Sequence, residues 1–123
     1  MKKLRIYIDM DGVISDFDKA KRAYMKNRPD LHVDYRYLDI IEGAEEAVKY
    51  LHEHHEVFIA STPPWTRIQV WADKRAWLEE NFPDLKRRLI LTHRKDLLIG
   101  DVLIDDSRFR GQPDFKGHWF WFN

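Results

Sequence analysis

Seven polar side chains in four short segments carry the chemistry this sequence can offer. Asp9 and Asp11 lie in Ile8-Asp9-Met10-Asp11-Gly12-Val13. Ser61 and Thr62 precede two prolines, Lys95 closes Thr92-His93-Arg94-Lys95, and Asp105-Asp106 follow Val102-Leu103-Ile104. Brought together, the carboxylates would repel one another unless a cation sat among them. A hard divalent cation with oxygen ligands fits best, and Mg²⁺ commonly keeps waters and adds a phosphate oxygen. Hydroxyls and an ammonium suit the other phosphate oxygens of a phosphoryl transition state. A carboxylate can also attack phosphorus itself, giving an acyl phosphate that water hydrolyses. The set reads as phosphoryl transfer.

Such a site needs a scaffold that brings the segments to one place. Each follows a short apolar run: Leu4–Asp9, Val57–Ala60, Leu89–Thr92 and Val102–Ile104 read as strands, and Gly117–Phe122 as a fifth. Wholly apolar runs of this kind are typical of parallel sheets with both faces covered. Helices are expected over Asp16–Lys26, over Ala44–His54 behind Gly43, and over Thr66–Asn81. In the last, Ile68, Trp71, Ala72, Arg75, Leu78 and Phe82 mark the expected inner stripe. Asn27 to Leu38, broken by Pro29, is expected to be irregular. The alternation predicts an α/β, Rossmann-like, doubly wound parallel sheet of about five strands, whose ligands bind at the strands' carboxyl ends. All four polar segments would meet on that edge.

Taken singly, each segment has an ordinary structural reading. An Asp after a strand is commonly a turn or N-cap residue, Ser-Thr before prolines is a helix-start signal, and an isolated Lys is a solvated charge. Their order, each at a strand end, favours the joint reading.

Bulk properties narrow the class. The chain has 123 residues, 44% hydrophobic and 14% aromatic, which predicts one domain with a real core. It has no cysteine, so no disulfide framework or thiolate metal site can form. Lys plus Arg and Asp plus Glu each number 21, which gives no general grip on a nucleic acid polymer or a membrane. No apolar stretch reaches the ~20 residues of a membrane span. Met1-Lys2-Lys3-Leu4-Arg5 runs straight into the first strand, and a cytoplasmic protein is expected.

These residues resemble the haloacid dehalogenase (HAD) superfamily. Ile8-Asp9-Met10-Asp11-Gly12-Val13 is similar to its first motif, Ser61 to its second, Lys95 to its third and Asp105-Asp106 to its acidic fourth. The 5′(3′)-deoxyribonucleotidase branch is closer still, through Asp9 to Phe17, Phe58 to Pro63, Ile90 to Asp106 and Arg110-Gly111-Gln112. The resemblance implies a Mg²⁺-dependent phosphomonoester hydrolase, a 5′-nucleotidase on (deoxy)nucleoside monophosphates, working through an aspartyl-phosphate. It implies Asp9 as nucleophile and metal ligand, and Asp11 as general acid/base whose backbone carbonyl also binds the metal. Ser61 and Thr62 would hold phosphate oxygens and Lys95 neutralise them. Asp106 would be the direct metal ligand with Asp105 supporting it, and Phe17 would touch base or sugar.

One departure is visible. That branch inserts a helical cap after its first motif, and here only residues 18–42 are available, a short cap-position insertion in a single domain spanning 1–123. A different small phosphate ester is therefore the alternative substrate. A phospho-acceptor or binding protein is the non-enzymatic one, disfavoured by the acid/base beside Asp9. Trp65, next to the Ser-Thr segment, is a candidate for stacking on a base. The alternation of Trp119 and Trp121 with Phe120 and Phe122 makes the last strand an apolar edge, which hints at a homodimer.

Overall fold

Five short strands form one all-parallel sheet in the order β3-β2-β1-β4-β5. They are β1 (Arg5–Ile8), β2 (Glu56–Ser61), β3 (Leu89–Leu91), β4 (Val102–Asp105) and β5 (His118–Trp121). The computed structural model describes residues 2–27 and 33–122. Helices α1 (Phe17–Asn27), α2 (Ala44–His54) and α3 (Ile68–Asn81) accompany the sheet. Every expected strand and helix is present within two residues of its expected ends. Gly43 caps α2 in the left-handed conformation, with φ of 86°.

The strands alternate as the pleat requires. Ile6, Ile8, Val57 and Ile59 face one side, where Ala44 and Val48 of α2 and Trp77 and Leu78 of α3 pack on them. Tyr7, Ala60 and Leu103 face the other, under Phe115 with Leu98 and Trp119. Connections thus run over both faces, as in a doubly wound sheet. The second face is covered by short 3₁₀ turns at Lys95–Leu97 and Gln112–Asp114, and no α-helix lies there among the described residues. Large rings do the covering where a helix would otherwise sit.

One sequence expectation is corrected. The inner stripe of α3 is Val70, Lys74, Trp77 and Leu78, while Ile68 is 84% exposed and Ala72 and Arg75 face solvent. A lysine on the buried stripe breaks the apolar pattern, and counting only hydrophobic positions rotates the helix away from its true seat. Trp71 is half-buried, and Phe82 is buried just past the helix end.

Of the stretch expected to be irregular, residues 28–32 lie outside the described residues. Residues 33–41 form a strap across α3, with a 3₁₀ turn at Tyr35–Tyr37 capped by the Asp34 side chain. Val33 and Leu38 are buried, and the Trp77 indole N–H donates to the Leu38 carbonyl at 2.7 Å. Arg67 Nη1 donates to the Val33 carbonyl at 3.2 Å, and Arg36 pairs with Glu80. At the far end Ile41 N donates to the Ile14 carbonyl at 2.9 Å.

The Trp77 bond is buried, so losing its donor leaves a carbonyl unsatisfied. Trp77→Phe is expected to lower unfolding stability by about 1–3 kcal/mol. A chemical denaturation curve indistinguishable from wild type would refute that role for the indole N–H.

Candidate active site

The chain runs outward from β1 through β2 to β3, then crosses back to place β4 on the other side of β1. That reversal is a topological switch point, where parallel sheets leave a crevice at the carboxyl ends of the strands. A cavity of about 300 Å³ opens there, lined among others by Asp9, Asp11, Phe17, Tyr35, Ser61 and Thr62. Lys95, Asp105, Asp106, Ser107, Arg110 and Gln112 complete its wall. Of the residues expected at the site, only Trp65 lies outside this lining. It is 75% exposed, and its ring packs edge-on to Trp71 and His93 instead.

Asp9 continues β1 and is tied to β4 by its N–H, which donates to the Ile104 carbonyl at 2.8 Å. Beyond it the chain turns sharply. The Met10 carbonyl accepts from the N–H groups of Val13, Ile14 and Ser15, and Gly12 adopts φ of 84°. A Cβ on Gly12 would lie 2.1 Å from Asp106 Oδ2 and would have to push that carboxylate aside, and the positive φ itself favours glycine here. The turn projects Asp11 over the cavity, where Ser15 Oγ donates to its Oδ1 at 2.8 Å.

Lys95 is buried to 1% exposure, and its ammonium lies between two carboxylates. Its Nζ is 2.9 Å from Asp9 Oδ1 and also bonds Asp105 Oδ2. Burial acts against its charge, but Asp9 and Asp105 outweigh burial and hold its pKa above the ordinary value. Asp105 is fully buried and has both oxygens engaged, since Ser107 N donates to its Oδ1 at 2.9 Å. Asp106 is the exposed member of the acidic pair.

Oxygens of Asp9, Asp105 and Asp106 lie within 4.8 Å of one another, a grouping that could hold a metal ion. The electrostatics point the same way. Burial first, then the neighbouring Asp105 and Asp11, push the Asp9 carboxyl up to about 8 despite Lys95. Asp106 is raised as well, by burial and by Asp105. One ammonium does not neutralise this set, and a divalent cation with oxygen ligands is what would. With Asp105 committed to Lys95 and Ser107, Asp9 and Asp106 have the freer oxygens.

Ser61 ends β2 and is buried, while Thr62 Oγ1 donates to the Thr92 carbonyl at 2.7 Å. That bond commits the Thr62 hydroxyl proton and pins the β2 turn to β3. Gln112, also buried, accepts from Arg110 N at 2.8 Å, and the Arg110 carbonyl accepts from Lys95 N at 2.8 Å. The Gln112 Nε2 has no partner among the described residues.

Sequence reasoning missed Lys74. Its side chain is 1% exposed, and its Nζ lies 2.6 Å from Asp11 Oδ2. Tyr35 was also missed: its ring is 5.0 Å from that ammonium and faces the cavity. The signal for Lys74 was present, as it lies four residues after Val70 and three before Trp77 on the same helix face. A charge there needs a buried partner.

Comparison with known proteins agrees with this geometry. Residues 24–113 match the model of the family described as 5′ nucleotidase, deoxy (Pyrimidine), cytosolic type C protein. The chain belongs to that family. It thereby also falls in the HAD superfamily. A provisionally named 5′(3′)-deoxyribonucleotidase of Vibrio phage KVP40 is 35% identical, over 91% of this chain and 71% of its own. One of the same provisional name from Staphylococcus epidermidis is 30% identical, over 87% and 76%. The human 5′(3′)-deoxyribonucleotidase, cytosolic type, is 28% identical, over 92% and 76%.

Two stability measurements test the electrostatics. Asp9 has its folded pKa raised from 3.8 to about 8, so its burial opposes folding increasingly as pH rises through that window. Without divalent ions, Asp9→Asn should gain in melting temperature over wild type steadily from about pH 4 to about pH 8. Added divalent cation should reverse the order. A difference that does not change with pH would contradict the assignment. Separately, Asp11→Ala strands Lys74 and should cost up to about 3 kcal/mol, and adding Lys74→Met to it should restore most of the loss. Additive losses in the double variant would show that the pair is not coupled.

Proposed function

We propose that this protein is a phosphomonoester hydrolase, a 5′-nucleotidase acting on (deoxy)nucleoside monophosphates through an aspartyl-phosphate on Asp9. The observation that carries the reading is the convergence of Asp9, Asp11, Lys95 and Asp106 on one cavity at the sheet's switch point. Family membership supports the reaction class, and the names of the relatives support the substrate class.

Asp9 Oδ attacks phosphorus, and the bond to the ester oxygen breaks as the new P–O bond forms. Asp11 sits two residues past the nucleophile and is steered by Lys74 and Ser15, so it would give the departing oxygen its proton. Water then attacks the aspartyl-phosphate, Asp11 takes its proton back, and phosphate leaves with Asp9 restored. Lys95 holds positive charge beside Asp9 throughout, while Ser61 and Thr62 would hold the other phosphate oxygens, Thr62 through its backbone N–H because its hydroxyl proton goes to the Thr92 carbonyl. Asp9 and Asp106, backed by Asp105, would hold Mg²⁺, with the Asp11 carbonyl adding a ligand. The ion supplies Lewis-acid neutralisation of the phosphoryl charge.

Phe17 lines the same cavity and supports base or sugar contact. The cytoplasmic setting expected from the sequence remains part of this reading. So does self-association through β5, an edge strand on which Phe120 is 52% and Trp121 49% exposed. Among the described residues no helix is long and apolar enough to cross a membrane.

Purified protein with Mg²⁺ should release phosphate from deoxynucleoside 5′-monophosphates, and EDTA should abolish release. Asp9→Asn should lower kcat by at least about 10³-fold, as expected for loss of a covalent nucleophile. Full turnover by Asp9→Asn would refute the nucleophile. A stable phosphoprotein without released phosphate would favour the phospho-acceptor alternative.

A further inference from the structure

Arg110 is exposed, yet its backbone is held as firmly as that of a buried residue. Its N–H donates to Gln112 Oε1 at 2.8 Å, and its carbonyl accepts from Lys95 N at 2.8 Å. Gln112 is buried. Gly111, between the two, takes φ of 93° and sits so close to the Lys95–Leu97 turn that a Cβ there would lie 2.8 Å from Asp96 N. The residue so fixed lines the cavity that holds Asp9 and Asp11. Its guanidinium donates from Nη1 to the Phe109 carbonyl at 3.0 Å and meets no carboxylate among the described residues. The neighbouring cations are already matched. Lys95 is shared by Asp9 and Asp105, Lys74 is paired with Asp11, and Arg94 with Asp96.

We infer that Arg110 is a substrate-binding residue: its guanidinium takes a non-bridging oxygen of the ester's phosphate at the cavity mouth. The inference rests on the phosphate-ester reading of the same cavity. Charge carries it. Asp9, Asp11, Asp105 and Asp106 line the cavity, and Lys95 and Lys74 answer two of these carboxylates. A divalent ion would answer the other two. A phosphate dianion entering that balanced set brings two further negative charges. Arg110 is the lining cation left to meet them, since it has no carboxylate of its own among the described residues. A guanidinium is also the side chain whose planar fork of donors fits phosphate oxygens. A merely solvated arginine needs no fixed footing, whereas this one is tied through its carbonyl to the backbone of the buried lysine beside Asp9. Because the guanidinium meets the phosphate alike before and during transfer, it acts on binding and not on the chemical step.

Steady-state kinetics on the full chain with Mg²⁺ and a deoxynucleoside 5′-monophosphate tests this. Arg110→Met should raise KM about ten-fold and leave kcat within about two-fold, the loss expected of one charge-assisted hydrogen bond. Arg110→Lys should recover part of that loss. Added salt should lower kcat/KM more steeply in wild type than in Arg110→Met. Inorganic phosphate with Mg²⁺ gives a reading free of turnover: it should raise the melting temperature of wild type and raise that of Arg110→Met much less. A loss confined to kcat, or one accompanied by a lower melting temperature without phosphate, would reduce Arg110 to a structural role and overturn the inference. So would a phosphate-induced shift in Arg110→Met equal to that of wild type. If wild type cleaves no phosphate ester but its phosphate-induced shift still depends on Arg110, the proposed reaction fails and this inference stands. If wild type cleaves nucleotides and Arg110→Met keeps its KM, this inference fails alone.

Discussion

Taking an ammonium out of water costs several kcal/mol unless counter-charges meet it with good geometry, and Lys95 is almost entirely out of water. Its two carboxylate partners come from neighbouring strands, so the ion cluster can form only if β1 and β4 are paired in register and the chain has crossed the sheet to bring Lys95 over them. The rest of the molecule follows from that demand. Ser107 N fixes the Asp105 carboxylate, the Ile104 carbonyl fixes the Asp9 backbone, the Arg110 carbonyl fixes the lysine backbone, and Gln112 holds the Arg110 loop. Among the described residues the second face of the sheet carries short turns and no α-helix, and these turns deliver Lys95 to the cluster and Gln112 to the Arg110 loop beside it.

A second ion pair repeats the solution at the neighbouring acid. Lys74 reaches Asp11 from the buried stripe of α3, so a helix whose ordinary task is to cover the sheet also fixes the direction of one carboxylate. Asp9 has a partner that shares it with another acid, whereas Asp11 has one of its own. Two adjacent carboxylates therefore sit in different electrostatic settings, which is the usual route by which one pair of acids divides nucleophilic and proton-transfer roles.

How much of this was legible in the sequence depended on whether a residue's role was local. Asp9, Ser61 and Asp105 each end an apolar run and Lys95 follows one four residues on, and a parallel sheet puts such ends on one edge, so their convergence could be read directly. Gly12 was legible as a turn, but its close approach to Asp106 was not, since that depends on two segments 94 residues apart meeting. Lys74 was lost because hydrophobic periodicity treats a charged position as solvent-facing, and here the charge has a buried partner 63 residues away. Tyr35 fell in a charged, proline-broken stretch whose pattern gives no face at all. Trp65 drew attention by its place in the chain, yet the turn after Pro64 sends it outward against Trp71 and His93.

The strap's anchorage has a thermodynamic corollary. Because Leu38 and Val33 are bonded to Trp77 and Arg67, the strap and α3 belong to one cooperative unit rather than to a loop with its own opening equilibrium. Amide protons along residues 33–41 would then exchange with the helix, not ahead of it. The shape of the cavity wall at Tyr35 is thereby tied to the melting of the sheet-and-helix layer, and it holds on warming until the fold itself gives way.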